Sequence, residues 1–179
     1  MSNEIILVDL FDNAIGSCSK EQAHREKILH RAFSVFLYGD KGLLLQRRAL
    51  RKYHSGGLWA NTCCSHPQPN EITVTAAHRR LKEECGIDCH LIEVGSFVYY
   101  HAFSNGVAKY EYDHIFVGEY NGEANYDQEE IAEMRWTSME VLQAELLLSP
   151  DQFASWFMIS APRVLQHLSY TNKQIGGEI

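Results

Sequence analysis

The sequence predicts an α/β (α+β) fold, in which a mixed β-sheet core is flanked by helices. Strand-like apolar runs dominate the middle of the chain, and helical patterns are inserted between them and appended after them. This order favours a sheet of mixed strand directions that carries helices on its faces. The 179 residues suit a single domain over 1–179, with a core over about 28–170, an N-terminal segment over 1–30 and a flexible tail over 171–179.

Local signals place the first elements. Ile5-Ile6-Leu7-Val8 predicts an opening strand. Ser19-Lys20-Glu21-Gln22 has the spacing of a capping box, so a short helix is expected to begin there. Two strands over 32–38 and 43–47, joined by a glycine-bounded turn over 39–42, predict a hairpin.

A helix over about 72–85 is the best-marked element. Val74, Ala77 and Leu81 form an apolar stripe at helical spacing, and Gly86 follows as a C-terminal stop. Arg80 and Glu84 lie one turn apart on a different face of the same helix.

Two long strands, two further helices and a tail complete the prediction. The strands are expected over 97–103 and 107–120, separated by a short polar turn. A helix is expected to begin near Ser138, and a last one to span about 150–168 with a disturbance at Pro162.

Composition excludes several classes of protein. No apolar run approaches the roughly 20 residues of a membrane helix, and the first residues lack a basic, apolar secretion signal, so we expect a cytoplasmic protein. Five cysteines without a CxxC pair are expected to be reduced thiols. The net charge of −7 argues against nucleic acid or anionic membranes as partners.

Positive charge is nevertheless concentrated in two places on this acidic chain. One cluster contains Arg47, Arg48, Arg51 and Lys52, and the other is the Arg79-Arg80 pair. Such clusters fit either a solvated charged turn or a site for a small anionic ligand.

The segment over 65–87 resembles the Nudix box, a loop–helix–loop motif of pattern G-x5-E-x7-R-E-U-x-E-E-x-G-U. The matching positions are Glu71, Arg79, Leu81, Glu83, Glu84, Gly86 and Ile87. Ser65 replaces the first glycine, and Arg80 replaces a glutamate. The carboxylates of such a box gather divalent cations against a diphosphate, whereas an arginine weakens cation binding and adds a diphosphate-binding fork. The exchange would impair a hydrolase but not an enzyme that only holds a diphosphate.

Segments around the box resemble type I isopentenyl-diphosphate isomerases, which are Nudix-like. The resembling segments, in the order of that family, are His30–Phe36, Gln46–Leu50, Trp59–Pro67, Glu111–His114 and Ser155–Met158. The resemblance implies an isomerase that converts isopentenyl diphosphate into dimethylallyl diphosphate, a step of isoprenoid precursor biosynthesis.

The resemblance also implies which residues carry the chemistry. Moving an unactivated double bond through a tertiary carbocation needs an acid and a base on opposite walls of a dry pocket. The match assigns these walls to Cys64 and Glu111. Tyr99 matches a tyrosine that hydrogen-bonds the carboxylate, and Trp156 one whose π face stabilises the cation. Judged alone, Cys64 and Trp156 would be core residues.

Two cation sites and a diphosphate site are implied as well. A first divalent cation, Mn²⁺, Zn²⁺ or Mg²⁺, would be held by three imidazoles and a carboxylate, namely His24, His30, His66 and Glu111. A second, Mg²⁺, would bridge Glu84, the carbonyl oxygen of Cys64 and the substrate diphosphate. Four basic residues match those that hold the diphosphate: Lys20, Arg48, Lys52 and Arg80.

The chain departs from the family at Lys109, which stands where the first glutamate of Glu-x-Glu is usual. Since residues i and i+2 of a strand face the same side, Lys109 is expected beside the metal. The site could use four protein ligands and water, which we favour, or Asp113 could substitute, or Lys109 could weaken metal binding. His24 and His30 are also six residues apart where many members have seven, a difference that a loop can absorb.

Two other functions remain open. A Nudix hydrolase would release phosphate or a nucleotide, and Arg80 and the Cys64–Glu111 pairing argue against it. A catalytically silent Nudix-like binding protein is supported by Lys109 and the shortened histidine spacing, but gives no reason for Tyr99 and the acid–base pair. We expect a small diphosphate ligand, and a monomer or weak dimer.

Overall fold

The computed structural model describes residues 3–52 and 54–175, which contain nine strands and four α-helices. The strands are β1 (Glu4–Val8), β2 (Ala14–Ser19), β3 (His30–Gly39), β4 (Gly42–Arg48), β5 (Trp59–Ala60), β6 (Cys63–Ser65), β7 (Ile92–Ala102), β8 (Ala108–Glu119) and β9 (Ile131–Thr137). The helices are α1 (Lys20–Glu26), α2 (Thr73–Cys85), α3 (Met139–Leu148) and α4 (Ser155–Ile175), with a 3₁₀ turn at Pro150–Gln152. The expected mixed sheet flanked by helices is confirmed.

The parallel pair β3–β8 forms the centre of the sheet. Its register begins with His30 opposite Glu111 and continues to Tyr38 opposite Glu119. Strand β3 also pairs antiparallel with β1, β4 and β6, while β7 extends the sheet beyond β8 and β9 beyond β4. The start of β3 therefore brings His30, Glu111 and strand β6 close to one another.

Both faces of the central strand are covered, which explains its nearly continuous apolar sequence. Val35 and Leu37 pack with the α2 residues Ala77 and Leu81 on one side. Phe36 faces the other side and stacks on Phe157 of α4, with 5.8 Å between ring centroids. The side chains alternate along β3 as strand geometry requires, so this strand contributes to two core layers, one on each face of the sheet.

Several predicted elements are confirmed in detail. Ser19 caps α1, where its hydroxyl accepts a 3.1 Å hydrogen bond from the Gln22 amide. The hairpin β3–β4 turns at Gly39 and Gly42. Helix α2 ends at Gly86, whose φ of 68° is the left-handed value that glycine favours. None of the described helices is long and apolar enough to cross a membrane.

Other boundaries differ from the prediction. The helix expected over 150–168 starts as a 3₁₀ turn, and α4 begins at Ser155 and continues through Pro162 to Ile175. The first five residues of the expected tail over 171–179 are thus helical, and 176–179 lie outside the described residues. Strand β7 begins at Ile92 rather than at residue 97.

Strands β2, β5, β6 and β9 were not predicted. Strands β5 and β6 contain two and three residues, too few to show a period. Strand β2 is largely exposed and β9 carries charged side chains, so neither alternates clearly. Pairing with β1 and β4, rather than local sequence, defines them.

Candidate active site

A buried cluster of three histidines and one glutamate lies where β3, β8, α1 and the end of β6 meet. His24 comes from α1, His30 begins β3, His66 follows β6 and Glu111 lies on β8. Their potential ligand atoms all lie within 4.8 Å of one another, and all four residues are buried. The structure thus brings together the full set expected at the first cation site.

One carboxylate oxygen faces all three imidazoles. Glu111 Oε1 lies 3.0 Å from His66 Nε2, 3.5 Å from His30 Nε2 and 4.0 Å from His24 Nε2. The six-residue spacing does not keep His24 away, because α1 ends in a left-handed residue, Lys27, which redirects the chain toward β3. The loop absorbs the missing residue.

The tautomer of His30 suits a metal ligand. Its Nδ1 lies 2.7 Å from the carbonyl oxygen of Ile28, where it can only donate. Nε2 therefore keeps its lone pair and points into the cluster, as in metal sites whose imidazoles are held by backbone carbonyls.

Protonation states in the cluster also fit a divalent cation. Burial lowers the pKa of His24 to about 3 and that of His66 well below its usual range, so both rings are neutral donors. Burial alone would raise the pKa of Glu111, but the Lys109 ammonium and the neighbouring rings of His30 and His66 outweigh it and hold that pKa well below its usual range. Neutral imidazoles with a carboxylate are suitable ligands for Zn²⁺, Mn²⁺ and related ions.

Lys109 lies inside the site. It is only 6% exposed, and its Nζ lies 3.1 Å from Glu111 Oε1 and 3.3 Å from Oε2. The same ammonium lies 4.0 Å from the ring centroid of Trp156. The Tyr99 hydroxyl donates a hydrogen bond to Oε2, so both carboxylate oxygens of Glu111 have polar partners.

Asp113 does not join the cluster. Ser34 donates a 2.9 Å hydrogen bond to its Oδ2, and burial raises the pKa of this carboxyl to about 8. Among the described residues, Asp113 is absent from the set that could hold an ion. The suggestion that it replaces the missing glutamate is therefore not supported by this geometry.

Cys64 and Glu111 line one cavity. Cys64 lies on β6 opposite Ser34 of β3, and the cavity is completed by Lys109, Trp156 and other residues. Burial raises the pKa of the Cys64 thiol, and the cations of Lys109 and Arg48 oppose this only partly. Cys64 is therefore a neutral thiol at pH 7, close to an ionised carboxylate.

Trp156 is fixed in its position. The residue is fully buried in α4, and its indole Nε1–H donates a 3.1 Å hydrogen bond to Asn61 Oδ1. Arg48 Cζ lies 5.2 Å from the ring centroid. The π face therefore already attracts cations from two side chains.

A more open basic pocket adjoins the cavity and shares Lys20, Arg48, Cys64 and Ser65 with it. All residues expected to bind the diphosphate or its Mg²⁺ line this pocket: Lys20, Arg48, Lys52, Arg80, Glu84 and Cys64. Because the two spaces share a wall, a ligand could place an anionic head in the basic pocket and an apolar tail near Cys64.

Two of the cations expected to bind the diphosphate have acidic partners, and a third, Lys20, is disfavoured by its surroundings. Arg80 donates to Glu84, one turn along α2, and Lys52 donates to Glu130. Burial, assisted by the Lys109 charge, lowers the pKa of Lys20 to about 8. An arriving diphosphate would relieve the repulsion among these cations.

His54 lines the cavity but was not predicted from the sequence to belong to the site. This buried residue stacks on Phe103 with 4.6 Å between centroids, and its ring meets Trp156 edge-on at 6.1 Å. Burial lowers its pKa, so it forms a neutral wall of the cavity. It lies in the turn between β4 and β5, and no local pattern distinguishes it from a surface histidine.

The sequence is similar to that of several known proteins. Residues 28–157 match the model of the NUDIX domain family. A protein of Photorhabdus laumondii named isopentenyl-diphosphate Delta-isomerase 2 is 44% identical over 171 residues, which cover 95% of this chain and 94% of that protein. An isopentenyl-diphosphate Delta-isomerase of Burkholderia multivorans is 47% identical, with 88% and 90% of the two chains covered.

Solved structures agree on the fold. A Deinococcus radiodurans crystal structure superposes with a TM-score of 0.68 at 18% identity, covering 82% of this chain and 90% of that one. The MutT protein of Methanosarcina mazei gives a TM-score of 0.62 at 20% identity, with 81% and 96% covered. These structures share the arrangement of sheet and helices with the present chain.

Proposed function

The chain belongs to the Nudix family and, within it, to the isopentenyl-diphosphate Delta-isomerases, and we propose that it converts isopentenyl diphosphate into dimethylallyl diphosphate. The observation that carries the proposal is the cavity that places a neutral thiol, Cys64, near an ionised carboxylate, Glu111, next to a basic pocket. An allylic rearrangement needs these two kinds of group, and hydrolysis of a diphosphate needs neither in this position.

The diphosphate is bound by the basic pocket. Lys20, Arg48, Lys52 and Arg80 offer positive charge from four elements or loops, and the arginines provide forked hydrogen bonds to phosphate oxygens. Binding requires Lys52 and Arg80 to exchange their present partners, Glu130 and Glu84, for phosphate oxygens. Glu84 and the carbonyl oxygen of Cys64 would then hold Mg²⁺ against the diphosphate.

Proton transfer takes place in the cavity. One of the two groups, Cys64 or Glu111, delivers a proton to the terminal carbon of the double bond, which leaves a cation on the tertiary carbon. The other removes a proton from the neighbouring CH₂, and the electron pair of that C–H bond becomes the new double bond. Tyr99, which donates to Glu111 Oε2, keeps the carboxylate oriented during both steps.

Trp156 stabilises the intermediate charge. A cation over its ring in a desolvated site is attracted by roughly 2 kcal/mol or more. The hydrogen bond to Asn61 fixes the plane of the indole, so the ring itself does not have to reorient when the charge develops.

The His24, His30, His66 and Glu111 cluster would hold Mn²⁺, Zn²⁺ or Mg²⁺. When bound, the cation supplies Lewis-acid polarisation of its carboxylate ligand. The support is the convergence of four buried donors, with the His30 tautomer fixed by the Ile28 carbonyl.

We propose a cytoplasmic monomer or weak dimer that binds neither nucleic acid nor membranes. The support is the net charge of −7 and five unpaired cysteines, which suit a reducing compartment. Size-exclusion chromatography with light scattering tests the oligomeric state.

The deciding experiment is proton NMR of the purified protein with isopentenyl diphosphate and Mg²⁺ in deuterated water. Dimethylallyl diphosphate that contains deuterium is expected, because the added proton comes from a solvent-exchanging group. Unchanged substrate, also with Mn²⁺ and Zn²⁺, would favour a silent binding protein. Released phosphate would instead indicate a hydrolase.

A further inference from the structure

Lys109 and the three histidines share one oxygen atom of Glu111. We propose that Lys109 is an internal counter-cation of Glu111 that competes with the divalent cation and so sets the metal affinity of the histidine cluster. The inference rests on the proposed function for the presence of a metal there, but its test does not depend on turnover.

The competition follows from the position of Nζ. It lies 3.1 Å from Oε1, the oxygen that also faces His66 at 3.0 Å. A cation bonded to this oxygen at roughly 2 Å would lie within about 5 Å of the ammonium. Binding the cation through the other carboxylate oxygen, Oε2, would not avoid the ammonium. Oε2 already accepts a hydrogen bond from Tyr99 and lies 3.3 Å from Nζ.

Burial strengthens the electrostatic interaction between the Lys109 ammonium and a cation bound to Glu111. Lys109 and Glu111 are both almost inaccessible to solvent, so water and salt screen their charges weakly. Imidazoles are neutral when they bind a metal, so with one carboxylate the ligand set carries a charge of about −1, and Lys109 brings the sum to zero. Since cation affinity depends on the charge of the ligand set, removing the ammonium should strengthen binding.

The ammonium has a second contact besides Glu111. Nζ lies 4.0 Å from the Trp156 ring centroid, and this π face attracts a cation. The ring therefore helps to hold Lys109 beside the carboxylate, so a divalent cation has to bind next to a positive charge that two neighbours keep in place.

The test measures Mn²⁺ and Zn²⁺ binding to the metal-free full chain by isothermal titration, without diphosphate. Lys109→Gln removes the charge and keeps much of the side-chain length, and we expect it to bind about tenfold or more tightly than wild type. Lys109→Arg keeps the charge and should bind as weakly as wild type. Adding His66→Ala to Lys109→Gln should abolish the gain, which locates it at the cluster.

Lys82→Gln is the matched control, since it removes the same charge from the exposed side of α2. It should leave the affinity unchanged. Equal or weaker binding by Lys109→Gln would overturn the inference. If that variant does not fold, as judged by circular dichroism, Lys109→Met replaces it, because the thioether suits the Trp156 face.

The two proposals can fail separately. A protein without isomerase turnover whose metal affinity still rises in Lys109→Gln would sustain the inference and remove the proposed reaction. Deuterated product in the NMR experiment with equal affinities in wild type and Lys109→Gln would do the reverse.

Discussion

The cluster around Glu111 and the adjoining basic pocket use charge in opposite ways. In the cluster, Lys109 and Glu111 form an ion pair whose side chains are 7% and 2% exposed. In the basic pocket, Lys52 and Glu130 are 22% and 33% exposed, and Arg51 and Glu129 are 58% and 74% exposed. Exposed pairs contribute about 0–1 kcal/mol each, whereas an unpaired buried charge costs several kcal/mol.

This difference suits two tasks. The Lys52–Glu130 and Arg51–Glu129 pairs can exchange their internal partners for a diphosphate at little cost, because water can solvate the released carboxylates. In the cluster, Lys109 and Glu111 are almost inaccessible to water. If one of the two charges is removed, the other stays buried without solvation. We therefore expect substitutions in the cavity and cluster to have large effects, and those in the basic pocket to have graded effects on binding.

The largest effect is expected for Cys64→Ala. Loss of a group that transfers a proton should reduce kcat by about 10²–10⁴-fold, while the protein stays folded because only one sulfur atom is removed. Rates from the NMR assay and the thermal midpoint measure the two properties. Cys89→Ala, which alters a half-buried thiol packed on the α2 side of the sheet, should turn over normally. A near-normal rate for Cys64→Ala would remove this residue from the mechanism.

The second-largest effect is expected on the unfolding free energy of the Glu111→Gln variant. Glu111→Gln leaves the Lys109 ammonium buried without its carboxylate, so the metal-free protein should lose about 3–5 kcal/mol of unfolding free energy. Adding Lys109→Met should recover part of that loss, because the charge is gone and the thioether packs on Trp156. Urea denaturation of both variants measures the difference. No recovery in the double variant would mean that the histidines, not Lys109, depend on Glu111.

The four helices and five of the nine described strands were predictable from the sequence, and the residues predicted for the first cation site do lie together. Helix α2 and the β3–β4 hairpin are encoded by local patterns, namely an apolar stripe that ends at Gly86 and a turn bounded by Gly39 and Gly42. The short strand β6, which carries Cys64, is not, because three residues show no period and pairing with β3 defines it.

Two features of the site depended on three-dimensional contacts. The sequence predicted Lys109 beside the metal ligands, but not that its ammonium would lie between Glu111 and Trp156. His54 gave no signal, since its role as a cavity wall comes from stacking on Phe103, which is distant in sequence. Side-chain direction in a buried polar site is set by neighbours from several elements, and a linear pattern does not contain it.

The smallest effect is expected in the basic pocket. Lys52→Gln removes one cation from a partly exposed ion pair, so stability should change by less than about 1 kcal/mol. The lost diphosphate contact should raise KM about tenfold and leave kcat nearly unchanged, because Lys52 does not line the acid–base cavity.

Arg51→Gln is the matched control. Its pair with Glu129 is on the rim of the same pocket and more exposed, so its KM should change less. An equal rise in both variants would show that the pocket attracts the diphosphate by its total charge, and a fall in kcat for Lys52→Gln would show that the two regions are not separate in function.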